Sequence, residues 1–217
     1  MEHAVGIDPI QSVNAITREV RTVEKDGKPA KVAVARRSYD TTPEDLWDAI
    51  TSAERIPRWF LPVTGDLRLG GRYQLQGNAG GTITTCDPPK HLGITWEYAG
   101  QVSWVDVFLS AKGKATELVL EHLAHVPEEF WGQFGPGAVG VGWDLGLHGL
   151  AIHIGTRRGV LPSEGMEWMG SPEGKDFIRV SSAGWGEASI ADGTDRDAAM
   201  AAMGRTTAFY TGEQPPG

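Results

Sequence analysis

The chain has 217 residues, 40% of them hydrophobic, with eight tryptophans and a formal net charge of 20 − 28 = −8. A chain this long buries roughly 70% of the surface its unfolded form exposes, and so many tryptophans call for a sizeable apolar interior. The acidic balance, with no basic tract, excludes a nucleic-acid surface. The single cysteine, Cys86, excludes an intrachain disulfide and a cysteine metal cluster.

No apolar run approaches the ~18 residues of a membrane span, and no charged and apolar leader pattern opens the chain, so a cytoplasmic location is expected. Residues 1–15 read as a loose arm. Ile16–Val23 and Lys31–Tyr39 read as strands joined by a hairpin at Asp26-Gly27, two residues that tolerate positive φ. Asp40, Thr41 or Thr42 caps a helix with Pro43 at its first position and Glu44 and Asp45 at its positive end. Leu46, Trp47, Ile50 and Ala53 give that helix one apolar face. Pro57 breaks the next segment into a short helix or kinked turn, followed by the apolar corner Trp59-Phe60-Leu61.

Glycine pairs then punctuate a run of strands. Tyr73 and Leu75 share one face, Thr82–Cys86 ends at Asp87-Pro88-Pro89, and His91–Tyr98 alternates with Leu92, Ile94, Trp96 and Tyr98 on one side. Ser103–Ser110 and Thr116–His122 follow, and Leu118, Leu120 and His122 share a face. Short connections predict an antiparallel meander. Beyond Pro127, Val139–Ile154 is the longest helical segment, with a stripe of Trp143, Leu147, Leu150 and Ile154. Gly142, Gly146 and Gly149 each lower its helicity by ~1 kcal/mol, so packing must supply the difference. Gly155–Gly174 reads as loop with a helical turn near Glu164–Met169. Lys175–Ala191 and Arg196–Phe209 read as helices and Thr211–Gly217 as a frayed tail.

This order of elements resembles the SRPBCC, or START-like, superfamily, whose helix-grip fold is that of the birch-pollen allergen Bet v. Within it the resemblance is to the branch named after the activator of Hsp90 ATPase. It is carried by Thr42-Pro-Glu-Asp-Leu-Trp47, Arg55-Ile-Pro-Arg-Trp-Phe60, Gly70-Gly-Arg-Tyr73, Gly80-Gly-Thr-Ile83, Asp87-Pro-Pro89, Leu92–Trp96 and Thr116–His122. The resemblance implies an α+β fold, in which a curved antiparallel sheet of six to seven strands grips the long helix around a cavity. It divides the chain into an arm with an extra strand over 1–30, the helix-grip domain over 31–156 and a helical extension over 157–217. The co-chaperone's separate chaperone-engaging domain has no counterpart ahead of residue 31, so the resemblance implies the fold rather than chaperone activation.

Motifs for chemistry are sparse. Gly135-Pro-Gly-Ala-Val-Gly140 spells a dinucleotide fingerprint, but no strand runs into it and Pro136 removes a donor, so it reads as the lead-in to the long helix. His148 and His153 lie about 140° apart around a helix and cannot share a metal ion. Neither a cofactor nor a metal site is expected. Cys86, with no basic neighbour, reads as a structural thiol.

The aromatics remain. Trp59, Phe60, Tyr73, Trp96, Trp104 and Trp143, with Leu75, Leu120 and Leu147, are the candidate walls of the cavity. Tyr73, Thr84, Asp106 and His122 are its candidate polar groups. Trp104 and Asp106 share a face opposite Val105 and Val107, and the pattern leaves open which face is inner.

Three readings follow. The first is a binder of a small apolar or lipid-like ligand, without catalysis. The second is an enzyme on a hydrophobic substrate, with His122 or Asp106 as acid–base group. The third is a co-chaperone-like module or homodimer built through residues 157–217. The first asks least of the sequence. Trp185, Phe209 and Tyr210 further suggest that the extension lies over the sheet or the cavity mouth as a lid.

Overall fold

The computed structural model describes residues 7–214. Asp8 caps a short helix α1 (Pro9–Asn14) where a loose arm is expected from sequence; its side chain accepts from the Gln11 amide at 2.8 Å. The hairpin follows as β1 (Thr17–Lys25) and β2 (Lys28–Tyr39), with Asp26 at φ 52° and Gly27 at φ 71°. These are the left-handed values that a tight two-residue connection needs. Helix α2 (Pro43–Thr51) starts at Thr42, whose hydroxyl accepts from the Asp45 amide. A 3₁₀ turn at Ile56–Arg58 takes up the break at Pro57.

The remaining strands are β3 (Val63–Gly65), β4 (Arg72–Leu75), β5 (Gly80–Asp87), β6 (His91–Tyr98), β7 (Gln101–Lys112) and β8 (Ala115–Ala124). All eight form one curved antiparallel sheet in the order β1-β2-β8-β7-β6-β5-β4-β3. The sheet therefore exceeds the expected six to seven strands by β3, whose three residues are too few to show an alternation. Because β2 and β3 stand far apart in that order, α2 and the 3₁₀ turn must cross the sheet between them.

Helices α3 (Glu128–Phe134), α4 (Gly137–Thr156), α5 (Pro162–Gly170), α6 (Pro172–Ala191) and α7 (Arg196–Thr211) complete the fold. Sequence reasoning misses α3; the helical turn expected near Glu164–Met169 forms as the longer α5, and the first turn of α6 replaces the end of the expected 155–174 loop. Prolines stand at the first position of α5 and α6, where a helix tolerates them. The structure is the helix-grip α+β fold, with α4 in the grip. Leu147, Leu150 and Ile154 of its stripe are buried against the sheet, and Tyr39 Oη donates to Leu147 O at 3.1 Å.

The flanks of α4 are covered too. A methyl placed on Gly140 would overlap the indole of Trp185 on α6, and one on Gly149 would overlap the carbonyl oxygen of Trp59. The glycines thus let α4 lie close to its neighbours, and that packing offsets their low helicity. Asp144 and His148, one turn apart, face α1 and α6 through a buried polar network. Asp144 Oδ2 accepts from Arg18 Nε at 2.8 Å, Ser181 Oγ at 2.6 Å and Trp185 Nε1 at 3.1 Å. His148 Nδ1 meets Ser12 Oγ at 2.7 Å, and Arg37 donates to the same hydroxyl. Asp144 Oδ1 has no partner among the described residues, and burial pushes its carboxyl above the usual range despite Arg18. The expected lid is therefore corrected: Trp185 packs behind α4, Tyr210 Oη donates to Ala138 O, and Phe209 is 71% exposed.

Candidate ligand cavity

Between the inner face of the sheet and α4 lies a cavity with about 130 Å³ open to the centre of a water molecule. At ~10–15 Å³ of such space per water it holds roughly ten waters, or ~300 Å³ of liquid, the lower end of ligand-pocket sizes. The far wall is the sheet: Tyr73 and Leu75 of β4, Ile94 and Trp96 of β6, Val105 and Val107 of β7, Leu118 and Leu120 of β8. The near wall is α4, through Trp143, Gly146, Leu147 and Leu150. Trp59 and Phe60, delivered by the 3₁₀ turn, close the side where α2 crosses.

The aromatic walls support one another. Trp59 and Phe60 stack at 5.3 Å between centroids, Phe60 and Trp143 at 6.2 Å, and Trp96 meets Trp143 edge-on at 5.0 Å. Arg55 holds the segment that carries Trp59 and Phe60. Its Nη1 donates to Asp45 O, Asp45 Oδ1 and Asp48 Oδ2, and its Nε to His153 Nε2 at 3.2 Å. Hydrogen bonds from Thr41, Arg157 and Arg55 outweigh desolvation at Asp45 and hold its carboxyl down at about 2.

Of the residues expected at the cavity, Trp59, Phe60, Tyr73, Leu75, Trp96, Leu120, Trp143 and Leu147 line it. Four others are placed elsewhere. Val105 and Val107 point inward, so alternation along β7 sends Trp104 and Asp106 to the outer face. There Trp104 lies under Lys25 and edge-on to His125, and Asp106 Oδ1 meets His91 Nε2 at 2.7 Å. Thr84 is exposed. A register shift between Ile83 and Thr85 keeps Thr84 outside and brings Cys86 to the wall, a placement strict alternation could not have indicated.

His122 is on the inner face but does not reach the cavity, because Trp96 and Trp143 cover it. Trp143 Nε1 donates to His122 Nδ1 at 2.9 Å, so the ring proton is on Nε2. That nitrogen donates to Ser103 Oγ at 2.8 Å, and the hydroxyl donates on to Trp96 O. Burial pulls the imidazole down to about 4, so it is neutral near pH 7. The phenol of Tyr73 is pushed up by burial and donates to Thr95 O at 2.8 Å.

Residues 40–155 match the family model described as activator of Hsp90 ATPase homolog 1-like protein. The chain belongs to that family. All the cavity-lining residues, from Ile50 to Leu150, fall inside the stretch matched to this Hsp90 ATPase activator homolog 1-like family. The crystal structure of CalU16 from Micromonospora echinospora is 32% identical and superposes with a TM-score of 0.66, covering 81% of this chain and 99% of CalU16. Its solution NMR structure gives 32% identity and 0.67, over 82% and 97% of the two chains. Protein MLL2253 from Mesorhizobium loti, 23% identical with a TM-score of 0.50 over 55% of this chain and 93% of its own, shares the fold. No curated protein matches the chain. Among the described residues no helix is long and apolar enough to cross a membrane, and no group of three His, Cys, Asp or Glu is placed to hold a metal ion.

Proposed function

We propose that the protein binds a small hydrophobic or amphipathic molecule in the cavity between sheet and α4. The observation that carries this reading is a wall made almost wholly of aliphatic and aromatic side chains around space for a ring-sized compound. The two acid–base candidates for catalysis stand outside that space, His122 behind the tryptophans and Asp106 on the outer face. On this reading residues 31–156 form the binding domain. Residues 1–30 add an arm and an extra strand, and 157–217 form a helical extension that braces α4 from behind.

Cys86 is the single cysteine and lines the cavity, which makes it a native reporter. Titrating naphthalene should slow alkylation of Cys86 by iodoacetamide, saturably, and quench tryptophan emission over the same range. Neither protection nor quenching with any neutral apolar compound of this size would refute the reading.

A second reading, an interaction module, is favoured by one surface. Phe130 and Phe209 are 45% and 71% exposed, and each packs on Phe134, at 5.3 and 6.0 Å. The occupant we assign to it is a second copy of the chain. Sedimentation of the native protein beside Phe209→Ser decides this: a dimer lost in the variant supports it, and a monomeric native protein ends it.

A further inference from the structure

The cavity wall is held unevenly. Strands β4 to β8 are each paired on both sides, and α4 is a helix of 20 residues. The loop carrying Leu67 is stitched to β5 by Gly70 N to Ile83 O at 2.8 Å and Ile83 N to Gly71 O at 3.0 Å. The segment between α2 and β3, which brings Ile56, Trp59 and Phe60 into the wall, has weaker support. None of the three residues of its 3₁₀ turn is buried. Among the described residues, one backbone hydrogen bond ties residues 53–61 to a distant part of the chain, Val160 N to Arg58 O at 2.8 Å.

His153, near the end of α4 and 2% exposed, joins these parts. Its Nδ1 lies 3.0 Å from Arg158 O, an oxygen that can only accept, so Nδ1 carries the ring proton. Nε2 keeps its lone pair, which accepts from Arg55 Nε at 3.2 Å. One neutral imidazole thus ties α4 to the turn and to residues 158–160, whose Val160 amide holds the turn's backbone. A second ring proton would sit on Nε2 and face the Arg55 N–H, and that bond must then break. The charges around the ring add to this. Burial, with Arg55, Arg58 and Arg157, holds its ionisation below the ordinary 6.5 against the pull of the Arg158 carbonyl. On α2, Asp45 accepts from Arg55 and Arg157 and, held at about 2, stays ionised, while Asp48 accepts from Arg55. Helix α1, packed on the same helix, brings no charged residue within Pro9–Asn14. His153 is the member of this cluster whose side-chain type changes charge between pH 5 and 8.

On the binding reading above, we propose that residues 52–61 are the door of the cavity and that His153 is its pH latch, closed with the neutral ring and released when the ring takes a second proton. The latched state binds that proton less readily than the released one, so latching is complete above pH 6.5 and weakens as the pH falls below it. Loss of one such hydrogen bond shifts the balance by roughly 2- to 10-fold.

The test compares the native protein with His153→Gln from about pH 7.5 to about pH 4.5. Gln can accept near the position of Nε2 and does not titrate, and the titrations of His122 and His148 are common to both proteins. Hydrogen exchange at the Val160 amide, taken as a protection factor, reads the latch without ligand, and stopped-flow release of naphthalene reads the door. In the native protein protection should fall and release should speed up, each roughly 2- to 10-fold with a midpoint below pH 6.5. In His153→Gln neither should change. His153→Asn has no atom at Nε2, so it should release naphthalene at about pH 7.5 as fast as the native protein does in acid; it takes over if the Gln variant does not fold. A flat native profile, or a change that persists in His153→Gln, overturns the latch. Protection that falls while release stays constant overturns the door. If naphthalene does not bind at all, the binding reading falls, and exchange at Val160 alone still decides whether His153 latches the turn.

Discussion

Replacing His122 by Asn should remove part of the acid sensitivity of this fold, by an amount set by the burial of one imidazole. In the native protein Nδ1 accepts from Trp143 and Nε2 donates to Ser103. Both contacts suit the neutral ring, and its ionisation falls from 6.5 in the unfolded chain to about 4. Above pH 6.5 neither state binds the proton and the term vanishes. As the pH falls below that, the unfolded chain takes the proton first, so stability is lost progressively until about pH 4. At about 1.4 kcal/mol for each pH unit between the two values, the full loss is on the order of 3 kcal/mol.

Asn can still accept from the indole and donate to the hydroxyl, but it does not titrate. Urea unfolding followed by far-UV circular dichroism, at steps from pH 7 to pH 4, gives the free energy of each protein. His148, also pulled down to about 4, adds a loss of the same sign to both proteins. Asp144, pushed up by burial, adds the opposite sign to both. The difference between native protein and His122→Asn cancels these and should grow by about 3 kcal/mol as the pH falls. A difference that stays constant over the range would refute the buried neutral imidazole.

Three further outcomes follow from the packing. Gly146→Leu should fill the cavity, since its Cβ would touch the Phe60 ring at an ordinary 3.4 Å; protection of Cys86 by naphthalene should vanish while helix stability rises by about 1 kcal/mol, measured by thermal melting. Arg55→Ala should cost about 1–2 kcal/mol and speed naphthalene release in stopped-flow fluorescence, because the turn bearing Trp59 and Phe60 loses its tie to Asp45 and Asp48; an unchanged release rate would count against that tie. Asp144→Asn leaves Arg18 buried without its counter-charge and should cost about 3–5 kcal/mol in denaturant unfolding, whereas replacing both with Met and Leu should recover part of it.

What the sequence shows of this structure follows from how strong each local signal is. Thr42-Pro43, Asp26-Gly27 and the stripe through Leu147, Leu150 and Ile154 are local chemistry repeated over a full turn or strand, and each forms as read. Helices α1 and α3, at six and seven residues, are shorter than the pattern needs, and tertiary contacts decide them. The site divides along the same line. Trp96 and Leu120 reach the cavity through plain alternation. Trp104 and Asp106 depend on which face of β7 is inner, where Val105, Val107 and Leu109 form the longer apolar series. Cys86 depends on a register shift with no residue signature of its own. His122 depends on how two indoles, distant in sequence, close over it.

The strand order leaves the sheet with two free edges, β1 and β3. A free edge is a template on which a second chain can add a strand. Here one edge is only three residues long, and five of the nine residues on the other are charged. Such edges give a growing fibril little to extend, so a sheet that opens inward onto an apolar cavity does not also invite edge-to-edge growth. Lengthening β3 with apolar residues, or neutralising Glu19, Arg21 and Glu24 together, would remove that protection.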